Sequence, residues 1–254
     1  LSLQNTYNSE EIMDWYESIT NMLNKKISEI ENEEEKNNLV YRAQNLLFLI
    51  QPKYDGLAIV LTYNNGKIMK AVTRGDGYTG DDVTENVKTI KNLPKQLYMN
   101  SPIEGGMSAG QGGKIKKEDN QNNTIIVRWE IMMPKSVRKS LNIIRQDNGE
   151  EPFSNTRNAA AGSLKLLDTN EVAKRWLVCY IYDVSQWDEK ILDQFPQYVS
   201  PPERGDRGAN IDTVLSIINS ASTKEDLLKA DIDFDGLVIK IADSEIRALL
   251  GSTN

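Results

Sequence analysis

One lysine of this 254-residue chain is predicted to lie where an apolar strand runs into a glycine-containing turn. The apolar run 46–50 leads into the segment 51–56, so the strand is expected to stop at Lys53. A lysine amine is a nucleophile only in its neutral form, and neighbouring cations with limited solvation lower its pKa towards that form. Lys53 is therefore a candidate for covalent chemistry.

A second glycine-rich turn, residues 74–80, follows about twenty residues later. Its glycines permit close backbone approach to a ligand, and the guanidinium of Arg74 can fork onto a phosphate. Arg74, Lys240 and a bound metal could lower the pKa of Lys53 and stabilise charge at an attacked phosphate. The chain has no histidine, which excludes conventional zinc sites and His-based triads.

The elements that position these residues are predicted from apolar spacing. A β-hairpin is indicated by alternation over 57–63 and 67–73 around a turn at 64–66. Further strands are predicted at 125–133, 177–184 and 235–241, and the last strand ends near Lys240. Helices are predicted after Asn8, from Pro134, over 81–90, over 211–228 with Asp212 as N-cap, and over 243–251.

Three segments carry weaker patterns. The charged residues 24–38 are predicted to form a solvated helix end or loop. Residues 153–165 are predicted to be a polar turn that enters a tightly packed alanine- and glycine-rich segment. Residues 100–123, rich in Gly, Ser, Asn and Lys, are predicted to be a flexible insertion.

Composition limits the class of protein. With 39% hydrophobic residues the chain can bury a sizeable core, and we expect one large domain. A net charge of −7 neither indicates nor excludes nucleic acid. No apolar run approaches the ~20 residues of a membrane span, so a cytoplasmic protein without membrane contact is expected. Cys179 is the only cysteine, so no intrachain disulfide forms.

An ordered set of short motifs gives a more specific indication than any one of them. The set is Lys53-x-Asp55-Gly56, Arg74-Gly75-Asp76-Gly77, Arg128-x-Glu130, Asn155-x-Arg157-Asn158-Ala159-Ala160-Ala161-Gly162-Ser163-Leu164 and Asp235-Gly236-x-Val238-Ile239-Lys240. It resembles the adenylation (nucleotidyltransferase) domain of NAD-dependent DNA ligases, and the similarity runs from Leu1 to about Gly251.

The resemblance implies an α+β fold with antiparallel sheets around a central nucleotide cleft and helices outside. It implies NAD and Mg²⁺ as cofactors, nicked duplex DNA as partner in repair and replication, and a monomer. Lys53 would attack the α-phosphate of NAD, expel nicotinamide mononucleotide and carry AMP for transfer to a DNA 5′-phosphate.

The resemblance also implies roles for individual residues. Lys53, Asp55, Arg74 and Lys240 would be catalytic. Gln51 would face the adenine amino group, Tyr182 would stack on the base, and Arg74 and Glu130 would hold ribose, phosphate or metal. Ser2 and Leu3 would border the adenosine pocket, and Arg157 and Lys165 would lie towards the DNA or the leaving group.

The chain departs from the family pattern at three of these motifs. Gln51 stands where the family usually has Glu, Trp129 replaces a glycine, and Thr156 replaces a proline. The bulky ring of Trp129 is expected to crowd a ligand. We also expect the nicotinamide-gripping N-terminal segment and the final lysine motif of the family to be absent, leaving residues 1–254 as an incomplete adenylation domain, weakly active or inactive alone.

Two alternatives stay open. An ATP- or GTP-using ligase or capping-type nucleotidyltransferase shares Lys-x-Asp-Gly, although it is expected to lack the Asn158–Leu164 block. A degenerate homologue would bind nucleotide without chemistry, and Gln51 and Trp129 favour that reading slightly.

Overall fold

The computed structural model describes residues 8–75, 79–98, 124–185, 208–220, 225 and 228–251. The chain forms two compact units. The first unit comprises Leu1–Lys53, Val199–Ala230 and Phe234–Asn254, and the second comprises Tyr54–Tyr198 and Asp231–Asp233. The predicted insertion at 100–123, and Ser2 and Leu3, lie outside the described residues.

The first unit packs helices against a small sheet. Its described elements include the helices α1 (Ser9–Ser28), α2 (Glu33–Gln44), α7 (Ile211–Asn219) and α8 (Ser244–Leu250), and the strands β1 (Phe48–Tyr54) and β6 (Phe234–Ile241). Helix α1 begins at Asn8, whose side chain accepts a hydrogen bond from Glu11 N. Its apolar stripe, including Ile19 and Leu23, is buried in the core of this unit.

Strands β1 and β6 pair with each other in a two-stranded sheet within the described residues. Ala242 N donates to Leu47 O at one end, and Lys53 Nζ lies 3.6 Å from Asp235 Oδ2 at the other. The two strands therefore run antiparallel. Phe48 belongs to the core of this unit, so alternate residues of β1 point away from that core.

The second unit is built on a four-stranded antiparallel sheet in the order β3–β2–β4–β5. Its strands are β2 (Leu57–Asn64), β3 (Lys67–Thr73), β4 (Thr124–Met132) and β5 (Val178–Val184). The β2–β3 turn uses Asn65 and Gly66 with φ of 48° and 76°. Positive φ at both residues is the mark of a type I′ hairpin, as the sequence predicted.

One face of this sheet carries the core of the second unit. Ile59, Val127, Trp129 and Ile131 are buried there. The helices of this unit are α3 (Thr84–Val87), α4 (Lys135–Asp147), α5 (Thr156–Leu164) and α6 (Thr169–Ala173). Helix α5 contributes Ala159 and Ala160 to the core, where their small side chains allow the helix to pack closely.

The predicted strands and the helices after Asn8 and Pro134 are confirmed, and so is the helix within 243–251. Of residues 24–38, predicted as a solvated helix end or loop, 24–28 do end α1, but Glu33–Glu35 begin α2, a helix that was not predicted. The alanine-rich segment packs tightly as predicted, although Thr156–Leu164 form a helix. The predicted cap Asp212 was wrong, because Asn210 caps α7. Strand β1 ends at Tyr54, one residue after Lys53. The helix predicted over 81–90 is shorter, spanning Thr84–Val87.

In the part of the chain that the structure describes, no helix combines the length and the apolar character that crossing a bilayer requires.

Candidate functional site

The predicted site residues divide between the two units. Gln51, Lys53 and Lys240 belong to the first unit. Asp55, Arg74, Glu130, Arg157, Lys165 and Tyr182 belong to the second. The chain passes from one unit to the other between Lys53 and Tyr54, so Lys53 and Asp55 are two residues apart along the backbone.

In the first unit, the two lysines share one face of the sheet. Side chains alternate along a strand, and Phe48 and Ile50 point into the core, so Gln51 and Lys53 point the other way. In β6, the core-facing residues are Leu237, Ile239 and Ile241, so Lys240 also points away from the core. The sheet therefore brings Gln51, Lys53 and Lys240 onto a common face.

Lys53 has an acidic neighbour that sequence reasoning gave no role. Its Nζ lies 3.6 Å from Asp235 Oδ2, and the two side chains are 39% and 47% exposed. Asp235 precedes Gly236, which has φ of 137°, a value that favours glycine. Asp235, the first residue of this motif, thus places a carboxylate beside the Lys53 side chain.

Gln51 is buried, and its amide oxygen is an unused acceptor within the described residues. The residue is 5% exposed, and its Oε1 has no hydrogen-bond partner among the described residues. A buried acceptor without a donor is costly, by roughly 1–3 kcal/mol. Such an oxygen suits the amino group of an adenine, so the residues present fit the nucleotide that the sequence predicts.

In the second unit, the sheet face opposite the core is polar. Arg74 N donates to Ala58 O, and Ala58 pairs with Glu130 across β2 and β4. Arg74 and Glu130 thus occupy one row of the sheet. Tyr182 follows the core-facing Ile181 in β5, so it lies on the same face as Glu130.

Glu130 is the most perturbed acid of this face. Gly56 N donates to its Oε1 at 3.1 Å, while Arg157 and Arg74 supply nearby positive charge. Burial nevertheless outweighs these effects and raises the pKa of Glu130 to about 7. Perturbed carboxylates of this kind concentrate at functional sites.

Gly56 is required by this arrangement. A Cβ at residue 56 would lie 2.3 Å from Ile131 O and 3.1 Å from Glu130 Cγ. Only glycine allows the backbone to approach β4 closely enough for its N–H to reach the Glu130 carboxylate.

Arg157 and Asp55 pair beside Glu130. Arg157 Nη1 lies 3.1 Å from Asp55 Oδ1, and both residues contribute to the electrostatics of Glu130. Arg157 is in the first turn of α5, where Asn155 caps the helix by accepting from Asn158 N. Thr156 donates to Asp233 Oδ2 at 2.6 Å, so the residue that replaces the family's proline anchors this end of α5.

Lys165 lies at the other end of α5. It forms an ion pair of 2.6 Å with Asp81, which comes one residue after the glycine-rich turn. Both side chains are about half exposed, so this pair contributes little to stability.

Trp129 lies in the apolar core and not on the polar face of the sheet, where it would have to lie to crowd a ligand. It is 1% exposed and belongs to the core of the second unit, on the sheet face opposite Glu130. The expectation that its ring crowds the polar face was therefore wrong. The alternation that places Arg128 and Glu130 together already puts the residue between them on the other face.

Within the described residues, no group of three or more acidic or cysteine side chains could hold a metal by itself. Mg²⁺ commonly takes only one or two carboxylates and completes its coordination with water and phosphate oxygens. Glu130 therefore fits a metal that is shared with a bound phosphate. Asp76, Gly77 and Tyr78, in the glycine-rich turn, lie outside the described residues.

Comparison with known proteins provides independent information. A family model described as the NAD-dependent DNA ligase adenylation domain matches residues 1–105 and 113–254. The chain is 33% identical over 260 residues to a DNA ligase of Cytophaga hutchinsonii, 35% over 215 residues to one of Natronomonas pharaonis, and 34% over 263 residues to one of Thermosipho africanus. These matches cover 100%, 81% and 100% of the chain. They cover 33%, 28% and 33% of the relatives, so the chain spans about a third of their length.

Proposed function

Because the chain belongs to the family of NAD-dependent DNA ligase adenylation domains, we propose that Lys53 accepts AMP from NAD for transfer to nicked duplex DNA. The observation that supports this best is the common sheet face of Gln51, Lys53 and Lys240. On that face Gln51 carries a buried acceptor that finds no partner among the described residues, two residues from the nucleophile.

Lys53 acts as a nucleophile in this proposal. Its neutral amine forms a bond to the α-phosphorus of NAD, and the bond from that phosphorus to the bridging oxygen breaks. Nicotinamide mononucleotide leaves with the bonding electrons, the attacking nitrogen releases one proton to solvent, and AMP stays on Lys53 as a phosphoramidate. Asp235 holds the Lys53 side chain before the nucleotide binds, and Lys240 supplies positive charge on the same face.

Each unit carries one predicted contact for the base. Gln51 accepts a hydrogen bond from the adenine amino group, and Tyr182 stacks on the ring. Burial raises the pKa of Tyr182, so the ring stays neutral at physiological pH and offers an apolar surface.

The charged residues of the second unit would hold the sugar and phosphates. Arg74 forks onto a phosphate, and Asp55 keeps the Arg157 guanidinium beside Glu130. Glu130 would hold Mg²⁺, which when bound neutralises phosphate charge. Arg157 and Lys165 face the leaving group or the DNA in this proposal.

The proposal extends from AMP transfer in this chain to the activity of the protein that contains it. We propose that the protein containing this chain seals nicks in duplex DNA during replication and repair, in the cytoplasm and as a monomer. NAD is favoured over ATP or GTP as the AMP donor because the matching family is the NAD-dependent one. The burial of Trp129 removes one of the two reasons for considering a degenerate homologue.

The test is to incubate the chain with NAD or ATP in the presence of Mg²⁺ and to measure intact mass. We expect slow addition of the mass of one AMP from NAD, removal of that mass by acid, and release of nicotinamide mononucleotide. Lys53→Arg should abolish the addition, while the same substitution at the exposed Lys139, Lys139→Arg, serves as the matched control. Addition from ATP but not from NAD would contradict the proposed donor.

A further inference from the structure

Gln51 is buried and its amide oxygen is unsatisfied, and these two properties affect which nucleobase it can bind. The residue is 5% exposed. Its Oε1 has no hydrogen-bond partner among the described residues. Buried acceptors in folded proteins are normally paired, so this oxygen is suited to accept from a donor that a ligand brings.

The surroundings of Gln51 on its own strand suit a flat, apolar ligand edge. Leu49 precedes it by two residues on the same face, is 7% exposed, and is not part of the core that contains Phe48 and Ile50. Lys53 follows by two residues, which places its Cα about 7 Å from that of Gln51 along the strand. One apolar residue, one amide and the nucleophile thus follow one another on one face.

A side-chain amide differs from a carboxylate in what it can pair with. The Gln side chain carries an acceptor oxygen and an amide NH2 group with two N–H donors, whereas an ionised Glu side chain only accepts. The edge of adenine at C6 offers a donor amine beside an acceptor nitrogen. The same edge of hypoxanthine offers an acceptor oxygen beside a donor N–H, so its pattern is reversed.

Rotation of the terminal amide by about 180° exchanges its donor and acceptor. In one orientation Gln51 pairs with adenine through two hydrogen bonds, and in the other it pairs with hypoxanthine equally well. A carboxylate at residue 51 would place two acceptors against the hypoxanthine oxygen, leaving buried groups unpaired.

We infer that Gln51 reads the C6 edge of the nucleobase through a reversible amide, so that the site accepts 6-oxopurine nucleotides as well as adenine nucleotides. The inference rests on the proposed function, because it takes the nucleotide to be bound beside Lys53. It names a wider substrate class, which includes the hypoxanthine analogue of NAD.

The experiment compares binding of AMP and IMP to the 254-residue chain by isothermal titration calorimetry. We expect the two dissociation constants of the unmodified chain to differ by less than about tenfold. In Gln51→Glu, which keeps size and shape, we expect AMP to bind more tightly than IMP by more than about tenfold, since a buried hydrogen bond left unmade costs about this factor. Far-UV circular dichroism and a thermal melt check that the variant folds.

A second variant keeps the test decisive if Gln51→Glu does not fold. Gln51→Leu removes both hydrogen-bonding groups and should weaken AMP and IMP by similar factors, about tenfold each. Two outcomes would overturn the inference while leaving the proposed function intact. They are discrimination against IMP by more than about tenfold in the unmodified chain, and unchanged binding of both nucleotides by Gln51→Leu. If the unmodified chain binds neither nucleotide, the proposed function fails and the inference fails with it.

Discussion

The two faces of the four-stranded sheet in the second unit carry different kinds of side chain, although the same strands form both. On one face Ile59, Val127 and Trp129 are buried in a continuous apolar core. On the other face Arg74, Glu130 and Tyr182 present charge and an aromatic ring, and the pKa of Glu130 is raised to about 7. Adjacent residues of β4 therefore point to opposite faces, since Trp129 packs in the core and Glu130 lies on the polar face.

The two faces also differ in how burial of their side chains affects the stability of the fold. The apolar face gains free energy from burial, while the polar face carries a carboxylate whose burial costs free energy when it is ionised. A ligand or metal that pairs with Glu130 would recover that cost. Mutations on the two faces should therefore move stability in opposite directions.

The largest effect is expected on the apolar face. Trp129→Ala should lower the free energy of unfolding by about 3–5 kcal/mol, because it leaves a large cavity in the core. Urea denaturation measures this, with Trp129→Phe as the milder control. If Trp129 instead crowded the ligand face, Trp129→Ala would cost less than about 1 kcal/mol and would tighten nucleotide binding.

A smaller effect of opposite sign is expected for Glu130. Its pKa is raised from 4.5 to about 7 in the folded chain, so the folded state binds the proton more tightly than the unfolded state. Stability from this group is therefore fully present below about pH 4.5 and is lost as the pH rises through 7. After discounting for partial exposure, the loss is roughly 2 kcal/mol.

Glu130→Gln should remove this contribution to the pH dependence. At pH 8 the ligand-free variant should be roughly 2 kcal/mol more stable than the unmodified chain, whereas at pH 4.5 the two should differ little. The amide oxygen can still accept from Gly56 N. Denaturation midpoints at the two pH values test this, and the exposed Glu151→Gln serves as the matched control. A variant whose pH dependence equals that of the unmodified chain would show that Glu130 is not the titrating group.

The smallest effect is expected at an ion pair on the polar face. Arg128 Nη1 lies 2.7 Å from Asp183 Oδ2, with side chains 45% and 35% exposed. A double-mutant cycle with Arg128→Ala and Asp183→Ala should give a coupling below about 1 kcal/mol, weaker still in 1 M salt. A coupling above about 2 kcal/mol would mean that this face also contributes substantially to stability.

The strands could be predicted because one-sided burial leaves an alternating pattern, and the turn at Asn65 and Gly66 was readable from its residue types. Helix α5 was missed because its apolar residues are mainly alanines, which leave no large periodic stripe. Helix α2 was missed because its charged first turn resembles a loop, although Asn32 caps it.

The site was partly predictable in the same way. Two-residue spacing put Arg128 and Glu130 on one face, and the same rule could have placed Trp129 on the other. The pairing of Lys53 with Asp235 could not be read from the sequence, because it depends on the register of strands far apart in the chain. The unsatisfied oxygen of Gln51 depends likewise on the packing around it.

Peptide mapping that locates the attached AMP tests directly whether Lys53 is the nucleophile. The chain is incubated with NAD and Mg²⁺, digested at neutral to mildly alkaline pH to preserve the phosphoramidate, and sequenced by tandem mass spectrometry. We expect AMP on Lys53 alone, with Lys240 unmodified. AMP on Lys240 or on another lysine, while Lys53 is recovered unmodified, would contradict this expectation.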